Sequence, residues 1–197
     1  MLIPNSTLNA SPDDSGRFAV KVISKELALA QLAEHKHELF PGGAGCVMCA
    51  LANGGASSML VAESEHGAVL LDRFGCRRGH LLVVAKQHVE RASSLSWPVY
   101  RDLQRLTFDA TCVIDAYFEP ARVFTATLGA AVELPQTYSH FHVHVIPVYE
   151  TDERARPARV LSWSEGVVVY DAREAAEICR GLSAAWPSCT VTAERAE

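Results

Sequence analysis

Hydrophobic and polar positions change period several times along the chain, and each change predicts an element. Residues 1 to about 22 show no period and are rich in Ser, Asn, Asp and Pro, which reads as a mobile tail. Ser24 predicts the N-cap of a helix to about Leu39, with Leu29, Leu32 and Ala33 on one face and Pro41, Gly42 and Gly43 ending it. From Met59 onward, the short runs Met59–Glu63, Ala68–Asp72 and His80–Ala85 alternate with Gly and charged residues, the mark of an antiparallel meander. Ser96 and Pro98 open a long helix to about Phe118. Its apolar stripe is Val99, Leu103, Leu106, Ala110, Val113 and Tyr117, spaced by four and three. Arg122–Leu128 reads as a strand, Gly129–Ser139 as a loop, and His140–Pro147 as a strictly alternating strand. Val167–Tyr170 adds a short strand, and Asp171 with Glu174 forms a capping box for a last helix to about Leu182. Strands grouped around one long helix define an α+β fold with an antiparallel sheet.

Composition narrows the class. A chain of 197 residues, 49% hydrophobic and 21% charged, can bury one core without disulfide staples. The formal net charge of −5 argues against sequence-independent nucleic-acid binding, which needs excess Lys and Arg to displace counterions. A phosphate ligand would therefore be held by a few placed groups. No apolar run approaches the ~20 residues of a bilayer span, and the N-terminus lacks a basic start followed by an apolar core, so a cytoplasmic protein is expected. Cys46 and Cys49 form a close pair of metal-binding or redox type. Cys76, Cys112, Cys179 and Cys189 are scattered and read as incidental or buried thiols.

Three of the eight histidines, His140, His142 and His144, fall at alternate positions of one strand. They share a face, successive members standing roughly 6.5 to 7 Å apart. Two chemistries suit such a row. Neutral imidazoles can act as nucleophile, orienter and acid, or they can ligate a catalytic metal with one position open to water.

The run Gln136-Thr137-Tyr138-Ser139-His140-Phe141-His142-Val143-His144-Val145-Ile146-Pro147 resembles the active-site strand of the histidine triad (HIT) superfamily of nucleotide hydrolases and transferases. The segment from Asp72 to Val89 resembles the same superfamily's upstream strand, loop and Gly-His element. With the Cys46/Cys49 pair, the likeness spans residues 46 to 147. It implies a HIT-like α+β fold divided into a tail and helix (1–45), a catalytic domain (46–150) and a strand and helix extension packed on it (151–197).

The resemblance also implies roles. His142 would attack the α-phosphorus and form a nucleotidyl-histidine, with the His140 carbonyl fixing its tautomer and His144 at the phosphate or leaving group. Gln136 and Thr137 would hydrogen-bond the phosphate or leaving-group atom, and Asp72 would face the ribose hydroxyls. Cys46, Cys49, His88 and His140 would hold a structural zinc of the superfamily's zinc-containing branch. His80 would be an inner hydrogen-bonding residue, while His35, His37 and His66 match nothing and read as surface residues. Pro135 stands where many members have Gly, and removes a backbone donor. The segment after Pro147, with Asp152, Glu153, Arg154 and Arg156, reads as solvated surface that could border the site.

The implied activity is hydrolysis or transfer of a nucleoside monophosphate unit from a phosphoramidate, a nucleotide conjugate or a dinucleoside polyphosphate, by a homodimer. The alternatives are a nucleotide-binding regulatory module with little turnover, and a metal-dependent hydrolase using the histidine row as catalytic zinc ligands.

Overall fold

A computed structural model describes residues 21–40, 45–55, 57–129 and 137–193. The aliphatic runs pair into one five-stranded antiparallel sheet of β2 (Leu60–Glu63), β3 (Gly67–Leu71), β4 (Leu81–Ala85), β5 (Arg122–Ala126) and β6 (His142–Val148), in the order β2-β3-β4-β6-β5. Alternation gives the sheet two unlike faces. Val69, Leu71, Leu81, Val83, Val143 and Val145 point into the main core. Ala68, Leu70, Leu82 and Val84 form a second, smaller cluster on the opposite face. Register sets Val84 opposite His142 and Leu82 opposite His144, so both histidines belong to that second face.

The long helix α3 (Trp97–Phe118) closes the core, with Leu103, Leu106, Ala110 and Val113 of the expected stripe essentially inaccessible. The C-terminal helix α5 (Ala172–Ala193) adds Ala175, Ile178, Cys179 and Leu182 to the same core. A Leu106→Ala substitution is expected to cost about 2–5 kcal/mol, because the cavity is walled by two helices and a sheet that relax little. A urea denaturation midpoint unchanged from wild type would show that this packing is misassigned.

Helix α1 (Lys25–Leu39) starts at Ser24, whose hydroxyl accepts from the Leu27 amide. Its buried face is Ala28 and Leu32; Leu29 is half-buried and Ala33 exposed. The shift arises from what α1 covers. Strand β1 (Lys21–Ile23), inside the segment expected to be tail, pairs antiparallel with β7 (Val167–Val169). Ile23, Ala28, Leu32, Phe74 and Val167 make a small core of their own. Two more boundaries move. Strand β6 begins at His142, because the chain bends at Ser139 and His140 before it, and α5 continues past Leu182 to Ala193.

The loop from Asp72 to His80 is pinned at both ends. Gly75 and Val168 exchange backbone hydrogen bonds of 3.0 and 2.9 Å. Gly79, at φ +80°, abuts Phe118, whose ring a Cβ would strike, so this turn requires glycine. Among the described residues no helix is long and apolar enough to cross a membrane.

Candidate active site and metal centre

Cys46 caps the short helix α2 (Val47–Ala50), its sulfur 3.5 Å from the Cys49 amide. That turn brings both thiols to His140, whose Nδ1 lies 3.4 Å from each sulfur. His88 completes the group, with its Nδ1 3.3 Å from both Cys49 Sγ and His140 Nδ1. A tetrahedral zinc site with ordinary bond lengths has edges of about 3.3 Å between nitrogens and about 3.5 Å between nitrogen and sulfur. The four donors therefore fit one zinc ion in a closed set. His140 Nε2–H donates to the Ala85 carbonyl at 2.8 Å, which leaves Nδ1 unprotonated toward the thiols. Burial, the Cys46 hydrogen bond and the Cys46 charge push Cys49 up to about 11, a cost that a bound dication reverses.

His142 and His144 turn away from this group, toward the cavity on the second face. His142 Nδ1 lies 2.6 Å from the His140 carbonyl. A carbonyl only accepts, so Nδ1 carries the proton and Nε2 presents its lone pair. That lone pair lies 3.1 Å from His144 Nε2, which is therefore an N–H. His144 Nδ1 then accepts from His80 Nε2 at 3.0 Å. His80 Nδ1 accepts the Cys76 amide at 3.2 Å, and Asp72 Oδ2 stands 3.1 Å from the same nitrogen. The N–H groups line up in one direction from His80 through His144 to His142, with Asp72 beside the far nitrogen of His80.

Burial agrees with this ordering. It is the main cause lowering His80 and His144 to about 3, aided by neighbouring histidines, and it also lowers His142. Burial likewise raises the Asp72 carboxyl, against the Phe74 amide bonded to its Oδ1 at 3.0 Å. Asp72, His80 and His144 are close enough to be considered as metal ligands. However, His80 faces its two neighbours through opposite nitrogens, so the hydrogen-bonded chain accounts for the grouping.

Both histidines border a cavity of about 300 Å³, the lower end of the range for small-ligand sites. Val47, Met48, Leu51 and Leu70 give it one apolar wall; Asp72, Thr137 and Tyr138 also line it. Gln136 lies outside the described residues. Asp152, Glu153, Arg154 and Arg156 are exposed or nearly so, in line with the solvated surface expected of them, but Leu161 and Trp163 beyond them reach the cavity. His35 corrects the sequence reading: it is not a free surface residue but lines the cavity from α1. Sequence alone could not place it, because α1 reaches the site only through the β1–β7 pairing. His37 is exposed and His66 half-buried.

The sequence profile of the family described as "Scavenger mRNA decapping enzyme C-term binding" matches residues 45–158, more than half of the chain. The chain belongs to the histidine triad superfamily. A HIT-like protein of Mycoplasma pneumoniae is 29% identical over 106 residues, 54% of this chain and 73% of that protein. Among solved structures, a zinc-bound histidine triad family protein from Mycobacterium smegmatis aligns at TM-score 0.51 and 22% identity, covering 72% of this chain and 97% of that one. A uridylyltransferase structure aligns at TM-score 0.59 and 16% identity, covering 82% of this chain and 51% of that one. At these identities the two structures establish the shared fold. Residues 21–40 and 159–193 of this histidine triad protein lie outside the matched segment, yet both supply walls of the cavity.

Proposed function

We propose that this histidine triad protein cleaves or transfers a nucleoside monophosphate unit through a covalent nucleotidyl-histidine at His142. One observation carries the reading: His142 presents an unprotonated Nε2 to a ligand-sized cavity, with an N–H of His144 beside it. Phosphorus in the cavity would gain a bond to Nε2 and lose its bond to the leaving atom. The His144 N–H, released from its contact with Nε2, supplies the proton that the leaving atom takes. His80 passes its Nε2 proton to His144 Nδ1, and a protonated Asp72 carboxyl, 3.1 Å from His80 Nδ1, would replace it in place of the Cys76 amide contact. Water or another acceptor, deprotonated by the reverse path, resolves the phosphoramidate and regenerates His142.

The apolar wall of Val47, Met48, Leu51 and Leu70 suits a nucleobase. Asp72 and Thr137 line the same cavity, which supports contacts to the ribose and to the phosphate or leaving atom; Gln136 is assigned beside Thr137 by sequence position. Zinc held by Cys46, Cys49, His88 and His140 is structural, since four protein donors leave no open position. It would fasten α2, and with it the apolar wall, to the start of β6. Pairing of two copies is supported by β5 at the sheet edge and by Trp97 and Phe108, which are 67% and 51% exposed on α3. A cytoplasmic location belongs to the same reading.

Intact-mass measurement after brief incubation with a nucleotide panel tests the reading. A mass increase of one nucleoside monophosphate, localised to His142, is expected. Tight binding without adduct or turnover would replace an enzyme by a binding module.

The relay of protons can be tested separately. A His80→Ala variant is expected to lose about 10²–10⁴ in kcat with a substrate whose leaving group must be protonated, and little with a nitrophenyl ester. Equal losses on both substrates would reduce His80 to a structural role.

A further inference from the structure

Arg73 lines the same cavity as His142 and His144, and it is exposed there. Among the described residues no carboxylate lies within salt-bridge distance of it. Its chain neighbour Asp72 is turned inward, with Oδ1 on the Phe74 amide and Oδ2 on His80. The polar partner of Arg73 is instead His35 of α1, with Nη1 3.5 Å from Nδ1. Burial, and then the Arg73 charge, lower the His35 pKa, so His35 meets Arg73 as a neutral acceptor; Glu38 stands 3.7 Å from the same His35 nitrogen. On a chain of net charge −5, a guanidinium lining a reaction cavity, with one of its five donors engaged by a described residue, is a conspicuous local charge.

The placement is built rather than incidental. Phe74, the residue after Arg73, is buried with Ala28 and Leu32 in the core that holds α1 down, and β1–β7 pairing closes that core. The strand register sets Ala68 and Val84 level with His142, and Leu70 and Leu82 level with His144; Arg73 follows Asp72 beyond the end of β3. Met48 and Leu70 of the apolar cluster and Arg73 with His35 of α1 thus line one cavity with the histidines.

We propose that Arg73, steered by His35, binds a second phosphate of the substrate, one carried in addition to the phosphate that His142 attacks. The assignment rests on the nucleotidyl-transfer reading of the site and narrows its substrate class to doubly phosphorylated nucleotides. Guanidinium and phosphate match in geometry as well as charge, because two N–H groups meet two oxygens. The second phosphate has two possible sources, a β-phosphate on the leaving side or a 2′- or 3′-phosphate on the ribose.

Calorimetric titration of the full chain with nucleoside 5′-monophosphates, 5′-diphosphates and 2′,5′- or 3′,5′-bisphosphates of the four common bases tests the proposal. Wild-type protein is expected to bind one doubly phosphorylated form at least 10-fold more tightly than the matching monophosphate, and which form wins identifies the source. In Arg73→Gln that preference is expected to collapse to within about twofold while monophosphate affinity holds; Arg73→Lys retains part of it through charge. Equal binding of mono- and doubly phosphorylated forms by wild type, or an unchanged preference in Arg73→Gln, overturns the assignment. If a His142 adduct still forms in that case, only the Arg73 assignment falls; absence of nucleotide binding altogether brings down both.

Discussion

Replacement of His142 by alanine is expected to reduce turnover of any substrate of this protein by on the order of 10⁴-fold or more, and to abolish the covalent adduct. The size follows from what is removed. Neither neighbour in the histidine chain can substitute: His144 is committed as an N–H donor toward His142, and its Nδ1 is taken by His80. An intact fold is a condition of the test, since the substitution also leaves the His140 carbonyl and the His144 N–H without their partner. Each unpaired polar group costs about 1–3 kcal/mol when buried, so the variant's melting temperature should be measured alongside its rate. His142→Gln, which keeps more of the side-chain volume, separates the effects: its stability should recover while its turnover stays lost. Turnover within tenfold of wild type in either variant would rule out the nucleophilic role.

Much of this site is legible in the order of residues alone, and the reasons are local. Alternation across His142–Pro147 determines which residues share a face, because strand side chains alternate; His140, expected on the same face, instead precedes β6 and turns to the thiols. The α3 stripe from Val99 to Tyr117 is equally legible, since a helix presents the same positions to any core. The spacing of Cys46 and Cys49 points to a metal or redox pair, although the partners that favour metal, His88 and His140, 39 and 91 residues from Cys49, come only through resemblance.

What escapes a reading of the sequence depends on long-range pairing. The buried face of α1 is Ala28 and Leu32 because β1 meets β7 nearly 150 residues later, and no periodicity within a 15-residue helix contains that information. His35 follows that face into the cavity. His80 is legible as an inner residue, but its place as the link between Asp72 and His144 requires both nitrogens to be located in space. Arg77 escapes as well. It is buried and paired with Glu150 at 2.9 Å, a contact that fixes the end of the Asp72–His80 loop against the segment after β6.

Removal of the zinc ligands is expected to unseat the apolar wall of the cavity before it touches the chemistry. Protein as isolated should hold one zinc per chain, and Cys49→Ser should hold substantially less. A ligand bound at 1,000 times its dissociation constant stabilises the folded state by about 4 kcal/mol. For a chain of this size each kcal/mol corresponds to roughly 2–4 °C, so chelation should lower the melting temperature by roughly 8–16 °C. The order of effects discriminates between structural and catalytic metal. If the ion is structural, partial chelation weakens nucleotide binding as α2 loosens from β4 and β6, while the His142 adduct still forms at saturating substrate in the folded fraction. A catalytic ion would behave in the opposite way: its loss would stop adduct formation with the melting temperature unmoved, and that outcome would return the histidine row to the role of metal ligand. The geometry favours the first course, because His140 points its free nitrogen at two thiols and His142 points its own at the cavity.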